Sequence, residues 1–488
     1  MNLKPKKELT EQEVQRGLKY VIGDGLAAEA MTALTGGTFL VALALLMGAT
    51  NFEIGILAAL PTFTNSFQLL SIWLVRRYNN RRAIAVLCGL LARIPLLIIG
   101  LLPFFFNSSA TISILIFFLF FYYFFGSIAG PSWNSWMKDL VPEKTLGSFF
   151  SRRSRLTQLL NVALSIIIAL FLDYIKKYYP GWELYVYGGM FITGGVIGIT
   201  GAFILSKTPE PEAEPLKDNI FKLIQKPLRD NNFRRLLTFN AAWVFALNIA
   251  TPFFTVFLLK QLAIPLSLII VLGIISQLAS ISTIGLWGTF SDKYSNKTII
   301  AISAPLYIGC FIAWCFVGIY TTTYMNIILL VLIYIFTGIS TAGINLSLTN
   351  IGLKLAPRGD AIVYLSAKNI IVAIFSSISP LVGGFLADFF TKRHLYLRAE
   401  YGGPHITKVF RLVELHSWNF LFLITALLAL LALQLLFQVK ETGEVDKESV
   451  RRIMRKSIRG SMKDYFLIGQ LLNWHQQLWS IIKKKLAS

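Results

Sequence analysis

Three ionisable side chains stand inside otherwise apolar stretches of the sequence and could do chemistry there. Asp24 and Glu29 belong to the first long apolar run, and Arg93 belongs to the third. An ionised side chain inside a bilayer costs roughly 2.5 to 3.5 kcal/mol on insertion scales, so each one requires a function or a partner. A carboxyl group can carry a proton, and a guanidinium can bind an anion or neutralise a carboxylate.

The spacing of the two carboxylates predicts that they do not form one pair. Five residues at about 100° each turn Asp24 and Glu29 roughly 140° apart on a helix. Glu29 shares its face with Thr32 and Gly36. Proton transfer, an ion pair and direct contact with a solute all remain open for Glu29. Asp24 lies near one end of the run, where water could solvate it, and Arg93 is interpreted as a structural partner or an anion-binding group.

The elements that must position these groups are membrane spans. The chain has 488 residues, of which 55% are hydrophobic and 15% are charged, whereas a soluble domain is less apolar and more charged. Apolar runs of about 20 residues, enough to cross roughly 30 Å of hydrocarbon, recur along the whole length. We predict twelve, at 20–47, 54–75, 83–106, 110–136, 156–174, 184–205, 237–259, 265–288, 298–319, 325–350, 363–390 and 418–439. The first run is too long for a signal peptide, so we expect an uncleaved helix.

The charge distribution predicts the topology. The net charge is +21, and 37 of the 46 Lys and Arg fall in the N-terminal segment, the C-terminal tail and alternate connections. Because such connections stay in the cytoplasm, both termini are predicted to be cytoplasmic, in a plasma membrane or a bacterial inner membrane. The basic face would meet anionic lipid, so nucleic acid is not needed to explain the charge.

Cofactor and enzyme chemistry find no support in the sequence. Cys88, Cys310 and Cys315 lie within apolar runs and are typical of small core residues. The four His lack metal-ligand spacing, and the chain has no phosphate-binding loop and no nucleophile elbow. We therefore predict no metal, no cofactor and no catalytic residue.

The sequence repeats itself once along its length. A shift of 216 places RRYNNR on DKYSNK, with Arg81 over Lys297, and a shift of 215 places Pro142 over Pro357. Two parallel halves of six spans are typical of proteins that rock two bundles about a central site. We predict a cytoplasmic N-terminal segment at 1–19, bundles at 20–205 and 237–439, a cytoplasmic linker at 206–236, and a basic tail with an amphipathic helix at 440–488.

Two turns give the chain a resemblance to the major facilitator superfamily, which extends over all twelve runs. The family's loop, Gly-x-x-x-Asp-Arg/Lys-x-Gly-x-Arg/Lys, is matched in the second half by Gly288, Asp292, Lys293 and Lys297. In the first half Arg76 stands in place of the Asp. The turn DLVPEKTLGSFFSRR is similar to a second family signal and contains Asp139, Pro142, Gly147, Arg152 and Arg153.

The resemblance implies that contacts made by these turns stabilise one of the two conformations of the transporter. An acidic side chain at a helix end can accept N–H bonds or pair with basic groups of the opposite bundle. Because Arg76 replaces the Asp in the first half, we expect an Asp-based latch in the second half alone. The alternative is that both turns are basic anchors at the cytoplasmic face.

The resemblance further implies an all-α membrane fold of two six-helix bundles, with the first, fourth, seventh and tenth helices around a central cavity. It places Glu29 beside the solute as the first candidate for proton coupling, with Asp24 as the second. The remaining cavity candidates are Arg93, Asn134, Asn240, Trp243, Asn248, Thr341, Asn345 and Thr349. For the neutral ones, hydrogen bonds between helices are the alternative.

The function implied by the resemblance is secondary active transport of a small solute by a monomer through alternating access. A facilitator-fold receptor or assembly factor that no longer transports is the alternative, because the loop of the first half is altered. Trp133 and Trp136 are expected to be interfacial anchors. Residues 391–417 are expected to form a solvated external loop.

Overall fold

The computed structural model confirms a helical membrane fold of two six-span bundles, to which one β-hairpin is added. It describes residues 5–7, 9–105, 110–142, 145–212, 225–318, 323–357, 361–391, 393–403 and 406–441. The predicted tail from residue 442 onward lies outside the described residues, as does the middle of the linker, 213–224.

The first bundle contains spans 1 to 6, which run alternately between the end that carries the linker (the linker end) and the opposite end (the hairpin end). Span 1 consists of Glu11–Thr35 and Gly37–Leu46, span 2 of Asn51–Thr64, the 3-10 turn Asn65–Phe67 and Gln68–Tyr78, span 3 of Arg81–Phe105, span 4 of Ala110–Leu140, span 5 of Leu146–Tyr178 and span 6 of Glu183–Leu205.

The second bundle contains spans 7 to 12. Span 7 consists of Asn231–Ala250, Phe253–Val256 and the π-helical turn Phe257–Gln261, span 8 of Leu266–Lys293, span 9 of Asn296–Trp314, span 10 of Thr323–Leu355, span 11 of Ala361–Phe390 and span 12 of Ser417–Leu436. A short helix, Gln225–Arg229, precedes span 7.

Span 2 is interrupted near its middle. Eleven of the described helices are long and apolar enough to cross a membrane, and span 2, whose middle carries Asn65, Ser66 and Gln68, is not among them. Pro61 has no N–H to donate to the preceding turn. The Thr64 hydroxyl donates instead to the Leu60 carbonyl at 2.9 Å. After this break, Asn65 and Gln68 face the interior of the first bundle.

The segment between spans 11 and 12 forms a β-hairpin, so the predicted solvated loop is wrong. Strand β1, His394–Gly403, pairs antiparallel with β2, Ile406–His416, with His394 opposite His416. Apolar and polar residues alternate along most of β1, and β2 is rich in β-branched and other apolar residues, which together favour a two-stranded ladder.

The two bundles meet along spans 2 and 11 and along spans 5 and 8. Spans 2 and 11 approach so closely that a β-carbon at Gly55 would collide with the Pro380 carbonyl oxygen. A β-carbon at Gly384 would lie 2.6 Å from the Asn51 carbonyl oxygen. Glycine at these two positions therefore permits direct backbone contact between the halves.

Candidate functional site

A cavity with both polar and apolar lining residues lies inside the first bundle, mainly between spans 1 to 5. Its volume is about 490 Å³. Spans 1, 3 and 5 contribute charged groups, span 2 contributes two amides after its break, and span 4 contributes aromatic groups with donor atoms. The groups concerned are Asp24, Arg93, Arg153, Asn65, Gln68, Tyr122, Tyr123, Trp133 and Asn134.

Asp24 and Arg93 form an ion pair in the cavity wall. Arg93 Nη2 lies 3.7 Å from Asp24 Oδ1, and Asp24 is only 5% exposed. The expectation that Asp24 is solvated at the helix end is therefore wrong. Glycines make room for the long side chain of Arg93: a β-carbon at Gly89 would lie 2.6 Å from Arg93 Nη1, and one at Gly198 would lie 3.1 Å from Arg93 Cγ.

Arg153 lies in the cavity wall and not in the turn where the sequence placed it. The helix of span 5 begins at Leu146, so Arg153 stands about two turns inside it. Its guanidinium carbon is 5.0 Å from the centroid of the Trp133 ring, within cation–π range. A β-carbon at Gly25 of span 1 would lie 2.6 Å from Arg153 Nε. Its neighbour Arg152 is exposed.

The two tryptophans near the end of span 4 are not interfacial anchors. Trp133 lines the cavity. Trp136 is fully buried, and its Nε1 donates to the Pro209 carbonyl at 3.0 Å. Both rings therefore face the interior of the bundle.

Several polar atoms of the cavity have no hydrogen-bond partner within the described part of the chain. They are Arg93 Nε, Arg153 Nε, Trp133 Nε1 and Asp24 Oδ1. Buried polar groups are normally satisfied, because an unpaired one loses its hydration without compensation. These atoms are therefore unsatisfied donors and acceptors in the wall of the cavity.

Glu29 points away from Asp24, toward another helix. Its Oε1 accepts a hydrogen bond from Asn161 Nδ2 of span 5 at 2.6 Å. The two carboxylates thus face different helices, as their spacing predicts. Arg153 interacts electrostatically with both of them. Arg93, by contrast, forms its ion pair with Asp24.

The candidates of the second bundle are not gathered around this cavity. Asn240, Asn248, Thr341 and Thr349 each donate to a carbonyl four residues earlier in their own helix, at 2.8 to 3.0 Å. Short polar side chains commonly bond the preceding turn in this way. Trp243 is buried in the core, and Asn345 is exposed. Of the predicted cavity residues, Arg93 and Asn134 line the cavity.

A buried charge cluster lies in the first bundle at the linker end. Glu210, which is 1% exposed, accepts the backbone N–H groups of Arg81 and Arg82 at 2.9 and 3.0 Å. Arg81 Nε donates to the same carboxylate at 3.1 Å, and Arg81 Nη1 pairs with Asp139. The first half therefore has acidic groups at this end, although Arg76 replaces the family's Asp.

The second bundle repeats this arrangement. Glu441 accepts the backbone N–H groups of Asn296 and Lys297 at 3.2 and 2.8 Å, and Lys354 Nζ lies 3.3 Å from it. Lys297 Nζ donates to the Phe437 carbonyl, just after span 12, at 3.3 Å, as Arg82 does to the Ser206 carbonyl, just after span 6. The halves therefore align here with a shift of 215, one less than the predicted 216, and Lys297 corresponds to Arg82.

The remaining residues of the predicted latch turns have ordinary surroundings. A β-carbon at Gly288 would lie 3.8 Å from Leu346, which is normal contact. The Pro142 carbonyl accepts the Thr145 N–H at 2.9 Å, and Gly147 lies in the first turn of span 5. The side chains of Asp292 and Lys293, in the last turn of span 8, lie outside what the structure describes.

Two aspartates join the bundles at the hairpin end. Asp173 of span 5 accepts the backbone N–H groups of Leu266 and Ser267 at 3.0 and 2.9 Å. Asp388 of span 11 accepts those of Asn51 and Phe52 at 3.2 and 2.9 Å. Each carboxylate caps the first turn of a helix in the other half, where the helix dipole favours negative charge. We call these contacts the crossed caps.

Comparison with known families shows to which superfamily the chain belongs. The family model described as Major Facilitator Superfamily matches residues 26–380. The chain belongs to this superfamily. No curated protein sequence matches this facilitator significantly.

Solved structures share the facilitator's fold at low sequence identity. The nucleoside transporter NupG is 14% identical, with a TM-score of 0.58, over 89% of this chain and 100% of that one. A D-xylose-proton symporter is 13% identical, with a TM-score of 0.61, over 89% and 98%. A bacterial homologue of the human lysosomal transporter Spinster, in an inward-facing and unoccupied conformation, is 16% identical, with a TM-score of 0.57, over 78% and 84%. These likenesses show the fold alone.

Sequence reasoning missed four acidic residues of this facilitator, namely Asp173, Asp388, Glu210 and Glu441. The signal for the first two was present, because the shift of 215 that aligns the halves places Asp173 on Asp388. Glu210 and Glu441 are 231 residues apart, since the hairpin lengthens the second half, and no single shift reveals both pairs.

Proposed function

We propose that this facilitator is a secondary active transporter that moves a small solute by alternating access, coupled to protons. The observation that supports this most is the pair of crossed caps. Asp173 and Asp388 fasten the two halves through four backbone hydrogen bonds at one end of the molecule. A helix cap contributes about 0.5 to 2 kcal/mol, so such a closure is strong enough to hold and weak enough to open. Two packed bundles with a releasable contact are the elements of a bistable switch.

The charge distribution supports a cytoplasmic location for the linker end. Most Lys and Arg lie in segments that belong to that end. In this orientation the crossed caps close the external face, and both termini lie in the cytoplasm beside anionic lipid. Each chain has two bundles and its own cavity, which supports a monomer in a plasma membrane or bacterial inner membrane.

Asp24 and Glu29 are the proposed proton carriers. Asp24 faces the cavity together with Arg93, Arg153 and Tyr122, so its protonation can respond to what the cavity contains. Glu29 bonds Asn161 and thereby joins spans 1 and 5, so its protonation can change a contact between helices. A carboxyl group at either place would load a proton in one conformation and release it in the other.

The rival function is a receptor or assembly factor that keeps the fold and does not transport. Its support was the altered loop of the first half. The cluster of Arg81, Asp139 and Glu210 supplies that half with buried charge at the same end, which favours the transporter.

Transport assays on purified full-length protein in liposomes test the proposal. An imposed pH gradient is combined with a panel of sugars, organic acids, nucleosides, peptides and phosphate esters. We expect at least one solute to move with protons. No movement of any solute, with either direction of the gradient, would overturn the proposal and favour the receptor.

A further inference from the structure

The charged groups of the cavity are unequal in number. Two guanidinium groups, Arg93 and Arg153, face it, and the carboxylate that lines it is Asp24. Glu29 interacts with Arg153 electrostatically but is not part of the lining, and its Oε1 accepts a bond from Asn161. The lining therefore carries one more guanidinium than carboxylate, and the charge of Arg153 is balanced by Asp24 and by Glu29, which is outside the lining.

The open hydrogen-bonding positions are mainly donors. Arg93 Nε, Arg153 Nε and Trp133 Nε1 have no acceptor within the described residues, whereas the acceptor among these buried atoms, Asp24 Oδ1, already forms the ion pair with Arg93. Arginine and indole N–H groups can only donate. A molecule that completes these positions must bring acceptor atoms, and a negative charge would also balance the guanidinium groups.

The backbone is shaped to hold the guanidinium groups in place. Gly89 lies against the head of Arg93, Gly198 lies against its stem, and Gly25 lies against the head of Arg153. Any larger residue at these positions would displace an arginine. Trp133, under the Arg153 guanidinium, restricts it on a further side.

The rest of the lining fits a small flat group beside the charge. Tyr122, Tyr123 and Trp133 offer aromatic faces, and Gly126 and Gly130 leave the face of span 4 open. A volume of about 490 Å³ is within the range of small-molecule sites. Asn65 and Gln68 of the broken span 2 add amide groups on the opposite side.

We infer that this cavity binds an organic oxyanion, with the carboxylate or phosphate group held by Arg93 and Arg153 and the organic part against Trp133 and the two tyrosines. The inference rests on the proposed function and names the class of solute for that site. Asp24 is then an internal competitor of the solute, because both are anions that bind Arg93.

Binding to the purified full-length protein in detergent, measured by calorimetry at constant ionic strength, tests the inference. The probes are benzoate, phenyl phosphate, neutral benzamide and cationic benzylamine. We expect one or both oxyanions to bind at least tenfold more tightly than the other two. The ratio of benzoate to phenyl phosphate distinguishes a carboxylate site from a phosphate site.

Matched variants locate the binding. Loss of one hydrogen-bonded charge weakens binding by about 10- to 100-fold, which we expect for Arg153→Gln, and the exposed neighbour Arg152→Gln should change it less than twofold. Arg93→Gln alone leaves Asp24 without its partner, so it is combined with Asp24→Asn. This double variant removes two opposite charges together and should also bind oxyanions weakly.

The inference is wrong if benzamide or benzylamine binds as tightly as the oxyanions, if no oxyanion binds at millimolar concentration, or if Arg153→Gln binds as the parent does. Liposome uptake separates the two claims. If the protein transports a neutral solute, and the Arg153→Gln variant transports it equally well, the proposed oxyanion site is wrong and the proposed transport function stands. Oxyanion binding without movement across the bilayer overturns the transporter and leaves the site.

Discussion

Asp173 and Asp388 are equivalent residues of the two halves, and each caps a helix of the half to which it does not belong. The relationship is reciprocal: span 5 holds the start of span 8, and span 11 holds the start of span 2. Because the two contacts are related by the internal repeat, a rocking motion that opens that end must break both. Neither carboxylate can then remain with its helix.

Removing the crossed caps should open the hairpin end. We expect Asp173→Ala and Asp388→Ala each to weaken closure by about 1 kcal/mol, since each removes two hydrogen bonds to the first turn of a helix in the other half, and the double variant to weaken it further. A cysteine introduced at Ala42, which lines a small cavity near Asp173, reports the opening as faster thiol labelling in a background that lacks the three native cysteines.

The control for this experiment is Asp230→Ala. Asp230 caps span 7 by accepting N–H bonds from Asn232 and Phe233 of its own half, so it shares the chemistry without bridging the bundles. Its loss should lower stability and leave Ala42→Cys labelling unchanged. Equal labelling in all three variants would mean that the caps do not control closure.

Arg81→Gln should destabilise the fold. Arg81 and Glu210 are both buried, at 2% and 1% exposure, and removing one partner of a buried ion pair costs about 3 to 5 kcal/mol. The loss is measured as a lower unfolding temperature in detergent. Arg81→Gln combined with Glu210→Gln should recover part of it, because no buried carboxylate is left without a partner, and Asp139, which also loses Arg81, is 42% exposed and can be hydrated.

Exposed Arg77→Gln is the matched control for Arg81, since it removes one positive charge from the same turn. We expect a change within about 0.5 kcal/mol. A similar loss of stability in both variants would show that net charge matters here, and not the buried pair.

Glu29→Gln should abolish pH-driven accumulation of the solute and spare exchange. Exchange requires only that the loaded carrier reorients, whereas accumulation requires a proton to be released. The comparison variant is Asn161→Ala, which removes the hydrogen-bond partner and keeps the carboxyl group. Full pH-driven accumulation by Glu29→Gln would exclude this residue and leave Asp24 as the coupling carboxylate.

Gly25→Ala should weaken oxyanion binding about tenfold with little loss of stability. The added β-carbon would lie 2.6 Å from Arg153 Nε, and a flexible side chain can move away where a backbone could not. Gly23→Ala is the control, because a β-carbon there would make only ordinary contact, 3.5 Å from Ile204 Cγ2, and Gly23 of the same helix is not part of the cavity lining. Equal affinities for both variants would contradict the proposed position of Arg153.

The sequence predicts that the turn after span 8 contains a latch and that the turn after span 2 does not. Asp292→Asn should shift the balance between the two conformations, whereas Arg76→Ala should mainly remove one positive charge from the linker end. Accessibility labelling at both ends of the molecule measures the shift. Equal effects of the two substitutions would show that Asp292 has no role as a latch.

Sequence reasoning could predict the fold because long apolar runs and the internal repeat both persist over many residues. The residues that line the cavity are harder to predict, since the lining depends on which face of a helix each residue occupies. Arg153 was assigned to a turn because the start of span 5 is polar, although helical geometry carries it inward. Thr341 and Thr349 lie on one polar stripe of span 10, which suggests contact with a solute. A hydroxyl group in a helix can instead donate to a carbonyl of the preceding turn, and its hydrogen bonding is then satisfied without a solute.

Span 2 both contacts the other half of the molecule and lines the cavity. Its first helix, Asn51–Thr64, touches span 11 through Gly55 and is capped by Asp388, while Asn65 and Gln68, just beyond the break, face the cavity. The 3-10 turn Asn65–Phe67 is thus a joint between the part of the chain that holds the two halves together and the part that lines the cavity. A continuous helix would force both to move as one rod. With the joint, the cargo-facing part can adjust to an occupant before the seal is released, and a loaded carrier can differ from an empty one while both are still shut.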